Sequence, residues 1–355
     1  MLGASLYLSQ SEETNVQNLK TLDQLGVKTI FTSLHIPEED PEQTLKGLRR
    51  ITSQTKEYDM KLMADVSSST LEQYSIEKEE ASDFFSELGI TSLRIDYGFS
   101  FEEIKTFSEQ FQIVLNASTI TEETCASLID VGIDLAEITV CHNYYPRENT
   151  GLDAEFFLNR NQYLKEKGFM IQAFIPGDLK KRGPIYAGLP TLEEHRNIDP
   201  LAAYMDLKEN YLIDEVLIGD VLMKENTIFR IKKWIDEKVL LLQVTNVSGK
   251  LPENFYDIHQ NRQDVARDVV RSESSRVVLK GRSFEPSKAK ERTAGSVTLD
   301  NDLYGRYVGE LQITKKNLPM DDRVNVLAQV NQSSLDLLDH ITAGVKFQFM
   351  EADDE

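Results

Sequence analysis

The sequence predicts an α/β fold: a (β/α)8 TIM barrel over residues 1–238, followed by a small all-β barrel domain over 239–355. Three observations carry this reading. Short apolar, β-rich runs alternate with amphipathic segments eight times over about 235 residues, the count and size of such a barrel. After Lys238 the texture changes to short strands separated by Asn, Gly, Pro and Ser turns. No G-x-G-x-x-G follows any run, which removes the usual mark of an open, doubly wound dinucleotide-binding sheet.

Each element has its own justification. The strand runs are 2–8 (LGASLYL), 29–34 (TIFTSL), 61–67 (KLMADVS), 92–98 (SLRIDYG), 112–118 (QIVLNAS), 135–142 (LAEITVCH), 170–177 (MIQAFIPG) and 215–220 (EVLIGD). Helical periodicity fills 16–25, 41–58, 77–88, 101–111, 122–131, 154–167, 201–211 and 224–235. Several helices end in Gly just before the next strand (LGVKTIF, LGITSLR, VGIDLAE, KGFMIQA), the residue that best tolerates a left-handed helix end. Pro41 and Pro200 sit where a helix can begin. In the second part, strands are expected at 239–245, 276–280, 296–299, 307–314, 323–329 and 345–350, with one short helix at 334–341. The polar stretch 252–275 reads as a structured connection.

Composition narrows the function. Among 355 residues, 40% are hydrophobic and 28% charged, enough to bury a core and exclude general disorder. A formal net charge of −20 argues against nucleic acid or an anionic membrane as partner, because the long-range field repels phosphates. A small anion remains compatible if its pocket gathers local cations. Cys125 and Cys141 have neither C-x-x-C spacing nor His partners at metal-binding intervals, so no disulfide framework or zinc site is expected. The opening MLGASLYLSQSEET lacks the charged start and long apolar run of a signal peptide, and no 18-residue apolar window occurs; the expected location is cytoplasmic.

Barrel active sites lie at the C-terminal ends of the strands, so polar residues late in each run are the candidates. They are Ser5 and Tyr7, Ser33 and His35, Asp65 and Ser67, Arg94 and Asp96, Asn116 and Ser118, then His142, Asn143 and Tyr144, and finally Asp220. A charge inside an apolar strand is expensive to bury unpaired, so Arg94 with Asp96 or Glu137 reads either as a structural ion pair or as chemistry. Asp65 and Asp96 favour chemistry by their late position. Asp220 fits either catalysis or the capping of the next helix. Neither H-x-H nor H-E-x-x-H occurs, which disfavours a metal hydrolase. No run carries a lysine near its C-terminal end, which disfavours Schiff-base chemistry. The long segment 178–198 after the seventh run holds Lys180, Lys181 and Arg182, a basic cluster where barrels frequently bind phosphate; a solvated lid is the rival reading.

Seven segments together resemble a known family: G-x-S-x-Y-L (3–8), TSLHIPEE (32–39), LRIDYGF (93–99), HNYYPR (142–147), FIPG (174–177), KRGPIYAGLPTLEEHR (181–196) and RYVGELQI (306–313). The chain is similar over nearly its whole length to bacterial 6-phospho-N-acetylmuramidases, intracellular glycoside hydrolases of peptidoglycan recycling. The resemblance implies a TIM barrel joined to a cyclophilin-like β-barrel. It also implies cleavage of N-acetylmuramic acid 6-phosphate–N-acetylglucosamine without cofactor or metal, with the phosphorylated disaccharide as partner and an oligomer left open. Glycoside hydrolysis normally uses two carboxyl groups, for which Asp65 and Asp96 stand first and Asp220 and Glu137 in reserve. Arg94, Lys181, Arg182 and Arg306 would meet the substrate's anionic groups, Tyr7, Tyr97, Tyr144 and Tyr186 its sugar faces. Ser33, His35, Asn116, His142 and Asn143 complete the expected binding set. A sugar-phosphate isomerase or lyase, and a non-catalytic sugar-phosphate binding protein, are the alternatives.

Overall fold

The runs with late polar residues become eight parallel strands: β1 (Leu2–Ser5), β2 (Thr29–Ser33), β3 (Lys61–Val66), β4 (Ser92–Ile95), β5 (Gln112–Asn116), β6 (Thr139–Cys141), β7 (Met170–Ile175) and β8 (Glu215–Ile218). In this computed structural model, which describes residues 1–34 and 41–352, they close into a barrel in the order β1 to β8, with β8 paired to β1. The chain divides into two compact units, Met1–Glu225 and Asn226–Glu355. Among the described residues no helix is long and apolar enough to cross a membrane.

Local chemistry sets the element ends. Ser11, Thr121, Asp153 and Asp199 each accept a backbone N–H at the start of the helices Glu12–Gln24, Glu122–Asp130, Ala154–Glu166 and Pro200–Glu209. After the helix Ala81–Glu87 the chain turns at Gly89 (φ +71°), where a Cβ would also collide with Thr52. The run 135–142 is only partly a strand. Asp134 accepts the Ala136 N–H at 2.9 Å and folds Leu135–Glu137 into a 3-10 turn, so β6 begins at Thr139. The helix Ser68–Tyr74 lies in a stretch without strong periodicity and was not expected.

Strand side chains alternate, so every second residue faces the barrel interior. The register sorts them into three levels. Thr29, Ser92, Thr139, Gln172 and Glu215 form a buried polar level at the N-terminal end. Phe31, Met63, Val114, Cys141, Phe174 and Leu217 pack together above them as an apolar plug. Ser33, Asp65 and Arg94 follow in direct register, with Asn116 and Asn143 two residues beyond plug members on their own chains. The plug isolates the upper polar level from the lower one.

The second unit forms a seven-stranded mixed sheet from β9 (Val239–Asn246), β10 (His259–Gln260), β11 (Val269–Arg271), β12 (Ser296–Asp300), β13 (Leu311–Thr314), β14 (Val324–Val330) and β15 (Lys346–Glu351). The order is β10-β15-β9-β14-β12-β13-β11, and the edges meet through an Asn261–Ser272 bridge, which nearly closes the sheet. Phe255 stacks on Phe349 at 4.6 Å in its core. The segment 276–280 is not the expected strand. Ser275–Val278 is a short helix whose Val277 and Val278 are 75% and 50% exposed, so these β-branched residues find no partner strand. The strands β10 and β11 lie inside the polar connection, where no apolar run announced them.

Candidate active site

The upper polar level opens into a cavity of about 270 Å³ at the C-terminal ends of the strands, lined by Asp65, Arg94, Asp96, His142, Asn143 and Tyr144 above Phe31 and Phe174. Arg94 is 4% exposed and carries most of the order here. Its Nη1 donates to Asp65 Oδ1 at 2.6 Å and its Nη2 to Asn143 Oδ1. Burial opposes the Arg94 charge, but Asp65 beside it outweighs that and raises the pKa further. Asp65 is therefore one half of a buried ion pair. Asp96, two residues after Arg94 on the same strand face, is held more loosely: the Asn116 amide donates to its Oδ1 at 3.4 Å. The two carboxyl groups share one cavity in different surroundings, one locked to a guanidinium and one not.

A second cation reaches this region from the β7–β8 segment. The Arg182 guanidinium lies 4.5 Å from the centre of the Tyr7 ring, and its Nη1 donates to Tyr144 Oη at 2.9 Å. Tyr7 is buried and donates to the Gly219 carbonyl, so its ring supports Arg182 rather than presenting an open face. Burial pushes the pKa of both tyrosines up, leaving them neutral hydrogen-bonding groups. Arg182 forms no ion pair among the described residues. His142 is fully buried: one ring nitrogen bonds Asn161 Oδ1 at 2.7 Å, the ring packs on Phe157 at 4.6 Å, and burial lowers its pKa to about 4. It is a neutral wall of the cavity.

Asp220 organises rather than lines the cavity. Its carboxylate accepts the backbone N–H groups of Gly177 at 3.0 Å, Arg182 at 2.9 Å and Leu189 at 3.1 Å. Burial raises its pKa against the pull of these donors and of Lys181. The capping alternative fails, because the next helix starts at Glu225 and it is Asp178 that accepts the Lys224 N–H. A second knot finishes the segment. Arg196, 3% exposed, donates to both carboxylate oxygens of Glu193 and to the carbonyls of Gly188, Tyr145 and Arg147. Glu193 in turn accepts the Asn149 and Gly151 N–H groups, and Arg196 lowers its pKa to about 2. The segment after β7 is therefore a bonded platform, not a solvated lid. Neither Glu193 nor Arg196 stood out by strand position; their place in KRGPIYAGLPTLEEHR was the available signal.

Other expected residues are dispersed. Glu137 sits in the 3-10 turn before β6, exposed at the N-terminal end of the barrel, because that run enters its strand late. It is thereby removed from the carboxyl candidates at the mouth. Arg306 belongs to the second unit, where it donates to Tyr307 Oη at 2.9 Å and lines a cavity with Arg276 and Lys280. Tyr186 is 65% exposed on the platform, its N–H bonded to the Arg182 carbonyl. Tyr97 is 54% exposed and bonds Ser69. Lys181 reaches toward the Ala187 carbonyl at 3.5 Å. Ser33 lies beside Asp65 in register. His35 falls outside the described residues. Among these, one His and carboxylate group has metal-ligating type, Glu194, His195 and Asp206, and its atoms are engaged in hydrogen bonds: His195 to Asp206 at 2.7 Å and Tyr211 to Glu194 at 2.9 Å.

Comparison with known proteins agrees with this architecture. A conserved protein of unknown function from Enterococcus faecalis is 37% identical, with a TM-score of 0.89 over 99% of this chain and 97% of that one. An uncharacterized B. cereus protein is 27% identical, with a TM-score of 0.76 over 99% of both chains. No curated protein matches. Two family models match in tandem, the N-terminal part of 6-phospho-N-acetylmuramidase over residues 2–233 and its C-terminal part over 240–350. The chain belongs to the 6-phospho-N-acetylmuramidase family.

Proposed function

We propose that this protein hydrolyses the glycosidic bond between N-acetylmuramic acid 6-phosphate and N-acetylglucosamine at the mouth of its barrel. The observation that carries the reading is the unequal carboxyl pair: Asp65 locked to Arg94, Asp96 nearly free, in one cavity. Glycosidases separate the roles of two carboxyl groups by giving them different environments. Asp96, outside any ion pair among the described residues and held only by the Asn116 amide, is assigned proton transfer to the leaving oxygen. Asp65, ion-paired with Arg94, is assigned the opposite side of the sugar. Arg182, without a carboxylate partner among the described residues and braced on Tyr7 and Tyr144, is assigned the 6-phosphate, with Lys181 beside it. The chemistry requires water and no cofactor.

The test is incubation of purified protein with the phosphorylated disaccharide and with its unphosphorylated form, with products identified by mass spectrometry. Release of N-acetylglucosamine from the phosphorylated form, much faster than from the other, supports the reading. The prior engagement of Asp65 also suits a lyase or isomerase that uses Asp96 as its single base. An unsaturated or isomerised product would establish that reaction and overturn hydrolysis.

A further inference from the structure

We propose that the N-terminal end of the barrel, on the far side of the apolar plug from the candidate active site, binds a monovalent cation through Glu215 and Gln172. A cavity of about 580 Å³ lies there, lined by both residues and by Thr29, Ser92 and Thr139. Glu215 is 7% exposed. Thr29 Oγ1 donates to its Oε1 at 2.7 Å and Gln172 Nε2 to its Oε2 at 2.6 Å. Both donors are neutral, and no lysine or arginine among the described residues comes within ion-pair distance of it. A buried carboxylate so placed is costly unless a positive charge joins it. The same barrel solves this problem at its upper level, where Asp65 has Arg94.

A second observation converges on the same point. Gln172 is 5% exposed and lines the cavity, and with its Nε2 committed to Glu215 its Oε1 is buried without a hydrogen-bond partner. The carboxylate thus lacks a counter-charge and the amide oxygen a donor, on two side chains hydrogen-bonded to each other. The arrangement depends on Gly3 of β1, which stands between the strands of Thr29 and Leu217; a Cβ there would crowd the Thr29 carbonyl and collide with Leu217. One carboxylate with neutral oxygens balances a single positive charge, whereas divalent ions usually recruit several carboxylates. Nearby charges lie on the rim: Lys28 is bonded to the Tyr58 carbonyl, the Met1 ammonium to that of Asp214, and Lys61, Lys105, Glu109 and Glu137 surround the opening. Alkali ions and ammonium share the required chemistry.

The test is thermal unfolding of the full chain in chlorides of potassium, sodium, ammonium and tetramethylammonium at equal ionic strength. A saturable rise in Tm of about 2 °C or more is expected with a small cation and not with tetramethylammonium, whose methyl groups hold its charge away from the oxygens and which has no N–H to donate. A larger response to potassium or sodium identifies an alkali ion; a larger response to ammonium identifies a hydrogen-bonding one. Glu215→Gln and, should that variant fold poorly, Gln172→Met must abolish the difference between salts. Identical melting in all four salts, or a cation response retained in a folded variant, overturns the proposal.

Discussion

Replacing Asp220 by Asn separates a platform role from a catalytic one. Asp220 is 1% exposed, and its two oxygens receive three backbone N–H groups, one of them from Arg182 itself. Asn keeps one acceptor and turns an amide donor toward the remaining N–H groups, so one or two charge-assisted hydrogen bonds are lost. At about 1.5–3 kcal/mol each, the barrel should lose roughly 1.5–6 kcal/mol, or about 3–24 °C in Tm. Because the Arg182 backbone hangs on Oδ1, its guanidinium should also drift from Tyr7 and Tyr144. KM for the phosphorylated disaccharide should then rise about tenfold while kcat keeps its order of magnitude. Circular dichroism melting and steady-state kinetics on one preparation read both quantities. An unchanged Tm with kcat reduced by about a hundredfold would place Asp220 in the chemistry and refute the anchor.

Four further outcomes follow from the same geometry. Asp96→Asn should lower kcat by about 10²–10⁴-fold with Tm nearly unchanged, whereas Asp65→Asn should also destabilise the fold by about 3–5 kcal/mol, because Arg94 is left buried and uncompensated; kinetics and denaturant titration of both variants check this. Arg182→Ala should raise KM about ten- to a hundredfold for the phosphorylated substrate and far less for the unphosphorylated one, and equal losses would reduce it to a general wall residue. Glu193 has a pKa depressed from 4.5 to about 2 in the folded state, so its contribution is present above about pH 4.5 and fades as pH falls toward 2; Glu193→Gln should flatten that part of the stability profile. Asp300 is opposite in sign: burial, then Glu310 and Asp321, push its pKa up to about 7, so the folded state holds the proton and stability falls as pH rises from 3.8 to 7. Asp300→Asn should therefore gain stability over the parent at pH 8 and not at pH 4, as measured by chemical denaturation.

The barrel was legible because parallel strands buried on both faces read as apolar runs, and the helices between them carry their own caps and periodicity. Where two signals competed, the reading slipped. The 135–142 run looks continuous, but Asp134 at its head draws the backbone into a turn, and that slip misplaced Glu137. Val277 and Val278 have strand propensity but no strand to pair with. In the site, Asp65, Arg94, Asp96 and Asn143 were visible as polar residues at strand ends. Their partners were not, because which carboxylate Arg94 selects depends on the register between β3 and β4. Asp220 and the Glu193–Arg196 knot were harder still. Their hydrogen bonds run mostly to backbone groups, and backbone groups leave no trace in residue identity.

The most direct test of hydrolysis at the barrel mouth is the mass of the products formed from the phosphorylated disaccharide in ¹⁸O-labelled water. Hydrolysis with Asp96 and Asp65 at the mouth predicts one ¹⁸O atom in the released N-acetylmuramic acid 6-phosphate, none in the N-acetylglucosamine, and no comparable turnover by Asp96→Asn. Products without label, or carrying an unsaturation in place of added water, would contradict it.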